Sequence, residues 1–173
     1  MTRPDFIAHY TELMDEDDCR YPGSTEKLSY GAPVGRKLGL TRIGLHIEVL
    51  PPGRRTSWPH AEEKEEEFVF VLEGEPDAWI DGDLHRLRAG DMVAFPAGTG
   101  IAHTFLNNTE HTVRLLVGGE SIKGNRIFYP KHPARNKECQ EKNWLWEGHP
   151  ERSLGTHDGW PDTPEGGRNN DGV

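Results

Sequence analysis

Four residues with chemistry to offer stand in two short stretches. In Ser57-Trp-Pro-His60-Ala-Glu62, His60 and Glu62 are two apart, so they share one face of any strand they occupy. Glu67 opens the run Glu67-Phe-Val-Phe-Val-Leu72 with Val69 and Val71 on its own face. A carboxylate aimed the same way as two valines points into a core or cavity. Burial there calls for a partner cation, and a metal is one solution. In the second stretch His103 and Phe105 share a face. Two imidazoles and one or two carboxylates converging on one point suit a first-row divalent ion. Two His and one carboxylate with open positions is the non-haem iron arrangement, and Mn, Zn or Ni fit it also.

Other polar residues have simpler readings. His46 and Glu48 alternate on an earlier stretch and either line a cavity or face solvent at a strand edge, the second being the simpler. Arg54 and Arg55 could meet an anionic substrate, but surface pairing with the acidic run Glu62-Glu-Lys-Glu-Glu-Glu67 is the plainer role. His85 and His111 flank turns and read as surface residues; Trp58 reads as a packing residue. No G-x-S-x-G is present, Cys19 has no evident activating partner, and Gly23, Gly31 and Gly35 form no dinucleotide or P-loop pattern.

The elements that must position these residues are short and extended. Leu45, Ile47 and Val49 alternate with His46 and Glu48, which predicts a strand that Pro51-Pro52-Gly53 stops. Glu67–Leu72 predicts a second, closed by Glu73-Gly74. Ala78–Ile80 and Leu84–Leu87 predict a hairpin around Asp81-Gly82, a pair that accepts the positive φ of a tight turn. Met92–Phe95, Ala102–Leu106 and His111–Val117 predict three more, and Arg126–Tyr129 a last one. Phe6, Tyr10 and Leu13 fall at helical spacing, so a short amphipathic turn or helix is expected near the N-terminus. Many short strands with Gly, Pro and Asn turns, and no helical run of about 12 residues in the core, predict an all-β sandwich or barrel.

The chain has 173 residues, with 20 Gly and 13 Pro, which suits a turn-rich β protein of one domain. Residues 1–120 carry 12 basic and 21 acidic groups, the whole net charge of −9; residues 121–173 carry 8 of each. Apolar content also falls after 120. The expected organisation is an N-terminal extension over 1–24, a barrel over 25–130 and a Trp/Pro/Gly-rich extension over 131–173. Trp144, Trp146 and Trp160 are expected to dock on the barrel, on a partner subunit, or as a lid over the barrel mouth. The final Pro-Glu-Gly-Gly-Arg-Asn-Asn-Asp-Gly-Val is expected to be disordered. The acidic balance offers no footprint for nucleic acid, and no apolar run approaches the roughly 18 residues of a membrane span. The N-terminus is acidic and lacks an apolar h-region. With only Cys19 and Cys139, free thiols in a reducing cytoplasm are expected.

The two stretches resemble the paired motifs of the cupin superfamily, G-x5-H-x-H-x3–4-E-x6-G and G-x5-P-x-G-x2-H-x3-N. Glu67 and Gly74 match the end of the first; Gly90, Pro96, Gly98, His103 and Asn107 match the second. The flavour is that of small single-domain members, and the likeness covers roughly residues 40–120. The resemblance implies a double-stranded β-helix, or jelly-roll barrel, a homodimer, and His60, Glu67 and His103 as ligands to one divalent metal. It also implies a small molecule in the barrel. This would be the substrate of a metal-dependent oxygenase, isomerase, decarboxylase or lyase. Alternatively it is a metabolite such as a sugar derivative, held by a binding or sensing barrel. A dimerisation scaffold without metal is a further option.

The chain departs from the pattern in three places. Gly53 is six residues from His60, and Gly98 four from His103, each longer than the motif spacing. Glu62 stands where the second His of the pair belongs. Two His and two Glu would bring a divalent site near neutrality. That weakens Lewis acidity and attraction for anions, and favours harder ions such as Mn(II). Alternatively Glu62 swings away and leaves a position open, or serves as a general base.

Overall fold

A computed structural model describes residues 3–167. It contains ten strands: β1 (Tyr30–Ala32), β2 (Ile43–Leu50), β3 (Ala61–Glu62), β4 (Glu67–Glu73), β5 (Asp77–Ile80), β6 (Asp83–Arg86), β7 (Met92–Phe95), β8 (His103–Leu106), β9 (Val113–Glu120) and β10 (Ile127–Phe128). Two short helices, α1 (Val34–Lys37) and α2 (Pro133–Glu141), and a 3₁₀ turn at Tyr10–Leu13 complete it. The strands form a five-stranded sheet in the order β1-β2-β9-β4-β7, a three-stranded sheet β6-β5-β8 and the pair β10-β3, all antiparallel. This is an all-β jelly roll.

Register divides the interior into two ends. On β2, β9 and β4 the inward rows are Leu50–Val113, Glu48–Leu115–Val71 and His46–Val117–Val69, with Glu67 opposite Gly119. Leu50, Val71, Ala78, Phe105, Val113 and Leu115 pack into the main core. Glu48, Glu67 and His103 follow at the other end. The period of two along each strand therefore sets an apolar plug below a polar chamber.

The extensions are part of the fold. Trp146 packs with Trp79, Ala102, Leu106 and Ala61 on the outer face of the three-stranded sheet. The chain returns along the β5–β6 hairpin, where Gly155 and His157 donate from their N–H groups to the carbonyls of Asp81 and Gly82. Trp160 lies on Arg55, 4.2 Å from guanidinium carbon to ring centre. Trp144, expected to dock, is instead 52% exposed. Of the segment expected to be disordered, residues 164–167 are described and held: the Glu165 N–H donates to the Gly53 carbonyl at 2.9 Å. The remainder, 168–173, lies outside the described residues. Near the N-terminus the expected amphipathic turn or helix is the 3₁₀ turn, with Phe6 71% exposed.

The two arginines correct the sequence reading. Neither pairs with the Glu62–Glu67 run. Arg55 is fully buried and holds both carboxylate oxygens of Glu26 at 2.6 and 2.8 Å, and the Gly159 carbonyl. Arg54, 5% exposed, holds Asp17 on one side and Glu165 on the other. Backbone position explains the difference: the loop after β2 turns inward under both extensions, where an unpaired cation would be costly.

Candidate functional site

His60, Glu67 and His103 meet in the polar chamber. His60 and His103 form an isolated antiparallel bridge; each N–H donates to the other's carbonyl, at 3.2 and 2.9 Å. That pairing sets the imidazoles side by side, ring centres 5.1 Å apart. Glu67 enters from β4, opposite Phe95 on β7, and the Phe95 ring stacks on His103 at 3.5 Å. One donor atom from each of the three lies within 4.8 Å of the others. The cavity they line, about 120 Å³, is completed by Glu48, Thr56, Ser57, Val69, Phe105 and Val117.

The ring orientations are fixed from behind. His60 Nδ1 lies 2.8 Å from the Trp58 carbonyl, and His103 Nδ1 3.4 Å from that of Ile101. A carbonyl only accepts, so these contacts place the ring proton on Nδ1 and leave a lone pair on each Nε2. Both Nε2 atoms face Glu67 Oε2, at 4.0 Å for His60 and 3.2 Å for His103. That oxygen is buried with no aligned donor. Burial pushes the His103 imidazole down from its ordinary pKa, against the pull of Glu67 and with His60 adding to the fall. Burial raises the Glu67 carboxyl pKa, and a proton on either imidazole lowers it by more. The chamber thus gathers three electron-pair donors with no proton between them, a set that fits a cation.

Glu62 stands beside this trio. Its Oε1 is 3.8 Å from His60 Nε2, and its Oε2 accepts from Asn125. Burial is the main cause that pushes its pKa up to about 7, and Glu67 adds to the rise. His46 and Glu48 both line a larger cavity; His46 is nonetheless exposed, so the solvent-facing reading holds for it and fails for Glu48, which also lines the chamber. Glu48 accepts a 2.6 Å bond from Ser29 Oγ. His85 and His111 are exposed, and Trp58 is buried between Tyr21 and His132, as a packing residue would be.

A jelly roll with two imidazoles and a carboxylate inside one end defines the cupin class, and the chain belongs to the cupin superfamily. The cupin domain model matches residues 46–119. Quercetin 2,3-dioxygenase of Bacillus subtilis (strain 168) is 25% identical over 125 residues, which are 67% of this chain and 37% of that protein. The chain therefore spans little more than a third of this curated relative. A putative sugar phosphate isomerase from Acidithiobacillus ferrooxidans ATCC 23270 superposes with a TM-score of 0.57 at 29% identity, over 59% of this chain and 65% of the other. A cupin-superfamily sugar phosphate isomerase from Silicibacter pomeroyi DSS-3 gives 0.57 at 32% identity, over 58% and 64%. Among the described residues no helix is long and apolar enough to cross a membrane.

Proposed function

We propose that this protein is a metal-dependent enzyme acting on a small organic molecule, with one divalent transition-metal ion (Fe, Mn, Zn or Ni) held by His60, Glu67 and His103. The observation that carries this is the buried Glu67 Oε2, which faces two imidazole lone pairs and no aligned donor. Glu62 completes the set from the side of His60. Its raised pKa is the mark of a carboxylate buried without enough positive charge, the deficit an ion relieves. The ion would supply Lewis acidity to an oxygen of the substrate. The chain's own residues orient the ligands through the Trp58 and Ile101 carbonyls and close the chamber floor with Val69, Phe105 and Val117. The names of the similar proteins, a dioxygenase and sugar phosphate isomerases, support small oxygen-bearing substrates, with oxygenation and isomerisation among the reactions open to the site.

The test is elemental analysis of untagged protein purified without nickel. Wild type should hold about one equivalent of one such ion, with affinity falling at least tenfold when a ligand or its support is removed. His103→Ala should lose the ion, and Glu62→Ala should bind it more weakly. A wild-type protein that stays metal-free after reconstitution would sink the proposal.

We further propose a homodimer. The outer face of the three-stranded sheet is covered by the chain's own tail, while that of the five-stranded sheet presents Phe68, Phe70, Leu72, Met92 and Ala94 outward. Leu72 and Met92 are 43% and 59% exposed. A twofold contact needs only a patch complementary to itself, and an apolar pleated face meets that condition. Both cysteines are free, which supports a reducing, cytoplasmic setting.

A further inference from the structure

The chamber around the trio has room for only a few heavy atoms. Glu48 and Thr56 line both it and a second cavity of about 640 Å³, so the two adjoin at these residues. The larger cavity lies between the N-terminal extension on one side and β2 with α1 on the other. Leu40 and Ile43, 48% and 54% exposed, stand in its wall beside Tyr30. Exposed apolar side chains in a concave wall suit a ligand with an apolar body.

Charge decides what the inner end accepts. The chamber lining contains two carboxylates, Glu48 and Glu67, and neither lysine nor arginine. Glu62 adds a third carboxylate beside His60. The two arginines closest in the chain are committed elsewhere, Arg54 to Asp17 and Glu165 and Arg55 to Glu26. Lys37 is bonded to Asp15, and Arg36 alone stands as a cation in the outer wall. A divalent ion does not reverse this, since Glu67 and Glu62 together match its charge and Glu48 adds one more carboxylate. Among the described residues the Glu48 side chain is bonded to Ser29 alone, through Oε2, so its other oxygen can serve a ligand. Thr56 and Ser57 add hydroxyls on the same wall.

We propose that the two cavities form one binding site for an uncharged hydroxylated molecule with an apolar body. Glu48 accepts a hydrogen bond from a ligand hydroxyl and turns dianions away. The inference rests on the metal reading for the position of the ion, and adds to it the class of ligand and the residue that selects it. Phosphorylated and dicarboxylate substrates are excluded from the chamber by the same charges.

The test uses calorimetric titration of metal-loaded protein with catechol, a neutral diol, and with oxalate, a dianion of similar chelating reach. Wild type should bind catechol more tightly than oxalate by roughly tenfold or more, the scale of one hydrogen bond to a charged group. Glu48→Gln should weaken catechol and strengthen oxalate, closing that ratio by about tenfold, with ion content and circular dichroism unchanged. Ile43→Ser, at the outer wall, should leave catechol alone and remove the advantage of 4-tert-butylcatechol over it. Oxalate bound more tightly by wild type, or a ratio that Glu48→Gln does not move, overturns the inference. Ion content of the same samples reports separately on the trio. If wild type holds no ion, the metal reading falls. The titrations without ion then still decide this inference, because oxalate must be refused and catechol must weaken in Glu48→Gln.

Discussion

Arg55 sits at full burial with its guanidinium divided among Glu26, the Gly159 carbonyl and the Trp160 ring. Glu26 also accepts from Trp58 Nε1 at 2.8 Å, so one carboxylate ties the segment before β1 to the loop that carries His60. Removing the guanidinium leaves Glu26 buried and uncompensated. Arg55→Ala should therefore lower stability by about 3–5 kcal/mol, read as a shift of the urea midpoint at constant slope. Arg55→Lys, which keeps the charge but not the fork or the stack, should fall between. The sequence could not disclose this pairing, because its partners lie 29 and 104 residues away. The acidic run next door was the nearer and wrong choice. His60, Glu67 and His103 were legible because motif spacing and strand alternation agree on them. Glu48 was not, since alternation names a face without saying whether that face looks in or out.

Elements were legible where alternation and turn chemistry acted together. Met92–Phe95 matches β7, and the Asp81-Gly82 turn joins β5 to β6 with φ of 49° and 97°. β3 has two residues, too few to show a period, and α2 buries only Cys139, so neither carries a stripe a reader could follow. The turn also has a neighbour that local sequence hides: a Cβ on Gly82 would overlap the Gly155 backbone of the returning tail. Gly90, at φ 96°, has open space around it. Both substitutions to Ala strain the backbone, by about 1–3 kcal/mol. Gly82→Ala should cost more than Gly90→Ala because it must also displace the tail. Paired thermal melts check this; equal losses would mean that the tail contact at the turn is slack.

For the whole molecule, the unequal cover of the two sheets is the fact that bears on assembly. Met92 is the most exposed of the large outward apolar residues on the five-stranded sheet, and its side chain supports nothing in the core. Met92→Glu should leave the fold intact and convert a dimer to a monomer in light scattering after size exclusion. A wild type that is already monomeric at micromolar concentration would remove this face from consideration.

Arg54 has a consequence for how the chain's two ends behave. One guanidinium binds Asp17 through Nη1 at 2.5 Å and Nη2 at 3.1 Å, and Glu165 through Nε and Nη2. The polypeptide from residue 17 to 165 is thereby closed into a ring by a clasp of ions instead of a covalent link. Residues just before that clasp, Asp15 and Glu16, form part of the wall of the larger cavity. The segment around Glu165 thus braces that wall from behind: freeing Glu165 would leave Asp17, among the described residues, as the one carboxylate holding Arg54.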